Sequence, residues 1–242
     1  MNYIASLLGA ENSLPAKQRK SNAVYHSVKR AILLRRIEPG QALLEQQIAG
    51  AMGCSQGTVR EALLRLEQDG LVARRGYHGT VVSTTSLEEA AQMARIRISL
   101  ETESARRAAE SCSHADFARF DAVIDQIAEA EVRHDGYALS ELDREFHLAI
   151  FQRARLATLE PILTRCALHV HRYTFGNGPL GVTPDNRTGL PSSAEQHRMV
   201  RNALATRDPE TAAQAMRDHI ETIIGYWSPE LLKLVRSDQQ SR

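Results

Sequence analysis

Six successive stretches of the chain (86–111, 114–132, 136–154, 157–175, 191–206 and 209–227) place apolar residues at three- and four-residue spacing, and no alternating run interrupts them. That period belongs to helices with one buried stripe each. Such helices bury their stripes against one another, so the pattern excludes a barrel, a sandwich or a doubly wound sheet in this region and demands a bundle. Many stripes are rich in alanine, which lets helix axes approach closely. The expectation is an antiparallel bundle of six to seven helices, closed by a short tail helix from about Ser228.

The first 85 residues read differently, as shorter helical stripes broken by glycine and followed by two short β-type runs. The chain therefore divides into a flexible arm at 1–20, a mixed unit at 21–83, a linker at 84–88, a helical domain at 89–235 and a tail at 236–242, and is mainly α overall. A Gly/Pro/Asn-rich stretch at 176–193 reads as a surface loop. Charge divides at the same place as pattern. Of 30 Lys+Arg and 29 Asp+Glu, the first 85 residues hold 11 and 6, so the net +1 hides a basic front and an acidic back. No apolar run approaches the ~18 residues of a membrane helix, and the N-terminus lacks a secretory pattern, so a cytoplasmic protein without a membrane partner is expected. Cys54, Cys112 and Cys166 are odd in number and far apart, which removes a disulfide framework and a CxxC metal knuckle.

Within the mixed unit, Val24, Val28, Ala31 and Ile32 recur at helical spacing over 21–36, and Pro39-Gly40 ends the segment. Leu44, Ile48, Ala51 and Met52 form a second stripe closed by Gly53, which suits a tight turn. Ser55 is placed as the N-cap of a third helix with Val59, Ala62, Leu63 and Leu66 inward and Gln56, Gly57, Thr58 and Arg60 on the other face. After Gly70, "LVARR" and "TVVS" bracket "GYHG" as a hairpin. Three helices with a tight turn and a hairpin make a winged helix-turn-helix, whose third helix enters a DNA major groove by its first residues. Arg60 suits a phosphate or a guanine edge, Gln56 an adenine or a phosphate, and Ser55 and Thr58 the DNA backbone, while Gly57 permits close approach. Arg74, Arg75 and His78 lie on or near the wing.

The stretch "EPGQALLEQQIAGAMGCSQGTVREALLRLEQDGLV" resembles the DNA-binding signature of GntR-family transcription regulators, most specifically in "VREALLRLEQDGLV". The resemblance implies DNA contacts at Ser55, Thr58 and Arg60 and at the wing positions Gly76, Tyr77 and His78. Gln56 and Gln46 stand where that family commonly has arginine, which implies weaker affinity or a different operator sequence.

In the helical domain four polar residues sit where the periodicity puts apolar ones. Over 136–154 the apolar arc is Leu139, Leu142, Phe146, Ala149 and Ile150; Asp143 falls inside it, within about 20° of Ile150, and His147 lies at its edge. His197 shares the stripe of Val200, Ala203 and Leu204, and His219 that of Met216, Ile220, Ile223 and Trp227. Buried without partners they would cost several kcal/mol each, so they must satisfy one another, bond the backbone or bind a metal. Asp-x-x-x-His puts two ligands on one helix face. Two more histidines complete a His₃Asp set suited to a divalent ion, Zn²⁺ first and Ni²⁺, Mn²⁺ or Fe²⁺ as well. His169 and His171 in "LHVHRY" compete for a ligand role on spacing alone.

"LDREFHLAI", "EQHRMVRNALATRDPETAAQAMRDHI" and "RISLETESARRAA" resemble the helical FCD effector domain of the FadR subgroup. That resemblance implies metal ligation by Asp143, His147, His197 and His219, with Gln196 replacing the usual glutamate before the histidine. It also places Arg97 where the family has an arginine reaching the bound effector; the plain alternative for Arg97 is an ion pair with Glu101. The expectation is a homodimeric regulator, a repressor by family habit, that binds a palindromic double-stranded operator and responds to a small organic acid held between metal and Arg97. Two alternatives stand beside it: the same regulator with a purely structural or signalling metal, and a metalloenzyme acting on a small carboxylate.

Overall fold

The computed structural model describes residues 16–76, 79–177 and 190–237. It divides into two compact units, Met1–Thr84 and Thr85–Arg242. The first contains α1 (Ala16–Leu33), β1 (Ala42–Leu43), α2 (Glu45–Met52), α3 (Gln56–Gln68), β2 (Val72–Arg74) and β3 (Thr80–Val82). β3 is the middle strand, antiparallel to both others, with Val72 opposite Val82 and Leu43 opposite Thr80. Val24, Val28, Ile32, Val59, Ala62, Leu63 and Leu66 all lie in the core, as their spacing requires. Gly53, at φ 58°, ends α2 in the left-handed region that admits glycine at little cost and turns the chain into α3.

Several expectations are corrected. Residues 16–20, read as part of a flexible arm, are the first turns of α1; Ala, Lys, Gln and Arg are good helix formers, and Lys20 Nζ donates to the Gly53 carbonyl at 3.2 Å. Residues 1–15 lie outside the described residues. In α2 the inward residue is Ala49, whereas Leu44 and Met52 are exposed. The cause is β1: Leu43 takes the inward place on the strand, and the short helix begins only at Glu45, so the stripe shifts frame. The proposed linker 84–88 ends at Ser86, because a capping box formed by Ser86 and Glu89 starts the next helix at Leu87. The tail begins later than 236, since Arg236 and Ser237 are helical; residues 238–242 lie outside the described residues, as do 178–189 of the expected 176–193 loop.

The second unit is a bundle of α4 (Leu87–Ser111), α5 (His114–Val132), α6 (Gly136–Arg153), α7 (Glu160–Asn177), α8 (Ser193–Ala205), α9 (Pro209–Trp227) and α10 (Pro229–Ser237), with a 3₁₀ turn at Ala157–Leu159 before α7. α4 is its central helix, packed against α6, α7, α9 and α10. Its buried face is largely alanine (Ala90, Ala91, Ala94, Ala105, Ala108, Ala109), which brings the neighbours close, and midway along it Arg97 and Glu101 are buried too. No helix among the described residues is long and apolar enough to cross a membrane.

Candidate metal centre and nucleic-acid interface

The start of α3 is built by Ser55. Its Oγ accepts the Thr58 amide at 3.2 Å and bonds the Thr58 hydroxyl at 2.9 Å. Thr58 is thereby buried beneath the cap, and the groups left facing solvent are Ser55, Gln56, Gly57 and Arg60. Arg60 makes a two-pronged contact with Glu45 of α2, Nε to Oε1 at 3.1 Å and Nη2 to Oε2 at 2.8 Å. These bonds hold the Glu45 carboxyl below its ordinary pKa. Gln46 is exposed beside Glu45, and Gly76 is exposed on the wing with φ 48°. Tyr77 and His78 lie outside the described residues. Arg74 is drawn back to Glu67 at 3.5 Å.

The second constellation is Asp143 and His147 one turn apart on α6, His197 on α8 and His219 on α9. Their ligand atoms lie within 4.8 Å of one another, and among the described residues no other such group occurs. His147 Nε2 is 3.2 Å from His219 Nε2 and 3.6 Å from Asp143 Oδ1, and His197 Nε2 is 3.3 Å from the same oxygen. Donors about 2.0–2.1 Å from a tetrahedral ion stand roughly 3.3 Å apart, so these three separations fit. Protons make the stronger test. His197 Nδ1 donates to the Ser193 carbonyl at 2.7 Å, which fixes the ring so that its buried Nε2, without a hydrogen bond, is the atom turned to Asp143 Oδ1 at 3.3 Å. A cation placed between Nε2 and the carboxylate would satisfy both, and the residues fit a divalent ion.

Glu101, which the pattern offers only as an ion-pair partner for Arg97, is also brought to the cluster. Its Oε1 accepts from Arg97 Nε at 2.7 Å and its Oε2 lies against His147 Nδ1, so one buried carboxylate holds both the guanidinium and the imidazole. Arg97 Nη2 is 3.9 Å from Asp143 Oδ2. Arg97 therefore pairs with Glu101 and also comes within 3.9 Å of the Asp143 carboxylate. Burial alone would push the His147 imidazole down, but the carboxylates of Glu101 and Asp143 outweigh it and hold the pKa up at about 9. Burial, reinforced by the neighbouring histidines, keeps His219 well below its ordinary value. For Asp143, burial works upward, yet His147, His197 and Arg97 hold it well below the usual range.

Beside the cluster lies a cavity of about 60 Å³, reached by Arg97, Asp143 and His219 at one end and walled by Leu139, Val170, Ile220, Ile223, Ile224 and Trp227. That is room for about four waters, or for a small acid. His171 and Thr174 line it from α7, whereas His169 turns away and bonds Thr85 Oγ1 through Nδ1 at 2.8 Å. Neither His169 nor His171 joins the ligand group. Gln196 is buried, donates to the Pro191 carbonyl at 2.9 Å and stays outside the cluster.

A winged DNA-binding unit followed by a helical unit with a ligand-lined interior defines a class, the two-part transcription regulators. The chain belongs to the GntR family in its FCD form. Residues 20–82 match "Bacterial regulatory proteins, gntR family" and residues 92–222 match the FCD domain. It is similar to the HTH-type transcriptional repressor RspR of Escherichia coli, 25% identical and covering 88% of this chain and 91% of that one. A probable D-xylose utilization operon transcriptional repressor of Paenarthrobacter nicotinovorans is 31% identical over 76% of this chain and 78% of its own. Among solved structures, E. coli McbR/YncC matches with a TM-score of 0.71 at 20% identity (87% of this chain, 98% of that one), and a Rhodococcus regulator with 0.65 at 22% identity over the same shares; these likenesses show the fold. The protein is a DNA-binding transcription regulator, not an enzyme, which sets aside the metalloenzyme alternative.

Proposed function

We propose that the chain is a cytoplasmic repressor whose hold on its operator is set by a small organic acid bound beside a divalent metal. Asp143, His147, His197 and His219 would hold the ion, Zn²⁺ first and Ni²⁺, Mn²⁺ or Fe²⁺ as alternatives, and Arg97 would take the acid's carboxylate. The bound ion would supply a fixed positive centre for that carboxylate. The observation that carries the reading is the pinned ring of His197, whose buried Nε2 faces Asp143 at 3.3 Å next to a cavity reached by Arg97. Two relatives named as repressors support the sign of regulation.

As a homodimer the protein would present two α3 helices to half-sites about one DNA turn (~34 Å) apart, so its operator would be a short palindrome. Ser55, Gln56, Gly57, Thr58 and Arg60 would meet that operator at the start of α3, with Gln46, Gly76, Tyr77 and His78 flanking them. Of these, buried Thr58 would act through the cap it forms with Ser55. Metal analysis of the purified protein, followed by thermal shifts with simple carboxylates, tests the effector half. Carboxylate stabilisation that needs both metal and Arg97 supports it; stabilisation by metal alone, indifferent to every acid, makes the metal structural. Gel shifts on the chain's own upstream DNA test the operator half, and no sequence-dependent complex at low salt would sink it.

A further inference from the structure

The "LHVHRY" segment is left with one histidine unassigned, and its position on α7 gives it a task. Val170, His171 and Thr174 turn one side of α7 to the cavity. The other side carries His169 and Arg172, both buried, and both bond the same hydroxyl: Thr85 Oγ1 is 2.8 Å from His169 Nδ1 and accepts from Arg172 Nη2 at 2.9 Å. Thr85 is the first residue of the helical unit and stands just before Ser86, the N-cap of α4. Two residues earlier, Ser83 donates its amide to the Leu71 carbonyl at 3.0 Å within the DNA-binding unit. Thr84 alone separates a residue held by one unit from a residue held by the other.

We propose that His169 and Arg172 are positioning residues that transmit the state of the cavity to the joint between the two units through their grip on Thr85. A ligand packed against Val170, His171 and Thr174 orders α7. The same short helix segment carries the two side chains that fix Thr85, so ordering it tightens the hold on residues 83–86. No separate moving part is needed: adjacent positions of one helix face the ligand and the joint. A regulated joint requires a free-energy difference between its two arrangements, and one hydrogen bond to a charged donor changes a population by a factor of roughly ten. The proposal rests on the reading that the cavity takes a carboxylate beside the metal.

The experiment uses the full chain with Zn²⁺ and acetate as the probe. Calorimetry reads their binding, and hydrogen exchange reads peptides covering residues 83–90. In the parent protein, loading should slow exchange there roughly five- to tenfold. Thr85→Val, which keeps the side chain's shape and removes the hydroxyl, should bind the probe as before and lose the slowing; Thr85→Ser, which keeps the hydroxyl, should retain it. Binding without any change of exchange in the parent, or the same slowing in Thr85→Val, overturns the transmission and leaves the receptor intact. No binding in the parent overturns both.

Discussion

Replacing Glu101 by glutamine strikes the one buried group that serves both Arg97 and His147. Glu101 is 1% exposed and Arg97 7%, so neither charge has water to fall back on. Glutamine keeps the shape and one acceptor but removes the charge. Arg97 would still stand near Asp143, though only at 3.9 Å. Breaking a buried pair by removing one partner costs about 3–5 kcal/mol, a large part of the ~5–15 kcal/mol by which a domain is stable. That is the loss expected in chelator, read by urea denaturation with a midpoint shift at unchanged slope. A second loss appears with metal. His147 would lose the carboxylate that fixes its Nδ1 proton, and such outer partners are worth about 10–100-fold in metal affinity. With ion at about 100 times the parent Kd, metal stabilises the parent by about 2.7 kcal/mol; a Kd weakened by that factor leaves about 0.4–1.4 kcal/mol. The gap between parent and variant should therefore widen by about 1.3–2.3 kcal/mol when metal is added. A variant less than about 1 kcal/mol destabilised in chelator, with the same gap in metal, would refute the bridging role of Glu101.

Three further outcomes follow from the same geometry. Below about pH 9 the His147 ring carries a proton that an arriving ion must displace, so apparent metal affinity should fall about tenfold for each pH unit below that value, with about one proton released per ion; calorimetry in buffers of different ionisation heat reads both, and a flat profile contradicts the assignment. His197→Ala removes a ligand whose ring is already pinned to Ser193, and should abolish stoichiometric binding at micromolar ion while leaving far-ultraviolet helicity unchanged; retained stoichiometry would mean that the ion sits elsewhere. Glu45→Gln frees the Arg60 fork and removes a negative charge close to the DNA-facing surface, so affinity for random duplex should rise a few-fold and the ratio of operator to random binding should shrink, both measured by anisotropy at fixed salt; an unchanged ratio would show that the clamp does not orient Arg60.

Where a stripe runs along one unbroken helix, local spacing and tertiary burial coincide, and Val59, Ala62, Leu63 and Leu66 or Leu139, Leu142 and Phe146 can be read directly. His197 and His219 were legible for the same reason, as polar residues on apolar arcs. Legibility failed where the frame depends on what precedes a short element. The two-residue strand β1 carries no periodicity of its own, yet it shifts which residues of α2 turn inward. The burial of Thr58 was not legible, because a hydroxyl at a helix start looks like a solvent-facing donor, while here it folds back on Ser55. Glu101 was hidden more deeply. An arginine and a glutamate four residues apart read as an ordinary exposed helix pair, and only the packing of α6, α7 and α9 around α4 makes this pair a buried one that reaches His147.

On the proposed reading, the charges of the buried site give metal and acid a reason to bind together. Without metal, Arg97 and a protonated His147 balance the carboxylates of Glu101 and Asp143. A divalent ion that displaces the His147 proton leaves Arg97 and the ion against two carboxylates, one positive charge in excess. Glu131 lines the cavity as well, but its oxygens accept from the Ser193 and Ala194 amides at 2.5 and 3.3 Å, so its charge is committed to the first turn of α8. An excess buried charge is costly unless paired, and the open side of the cluster is the cavity that Arg97 and Asp143 enter. A single carboxylate there restores neutrality, whereas a neutral ligand leaves the excess and a cation adds to it. Metal and monoanion would therefore raise one another's affinity by the same factor, as linkage requires. On the proposed reading, selectivity for an acid would follow from the charge count of α4 and α6 before any contact with the rest of the ligand, whose body the apolar wall from Leu139 to Trp227 would be left to recognise.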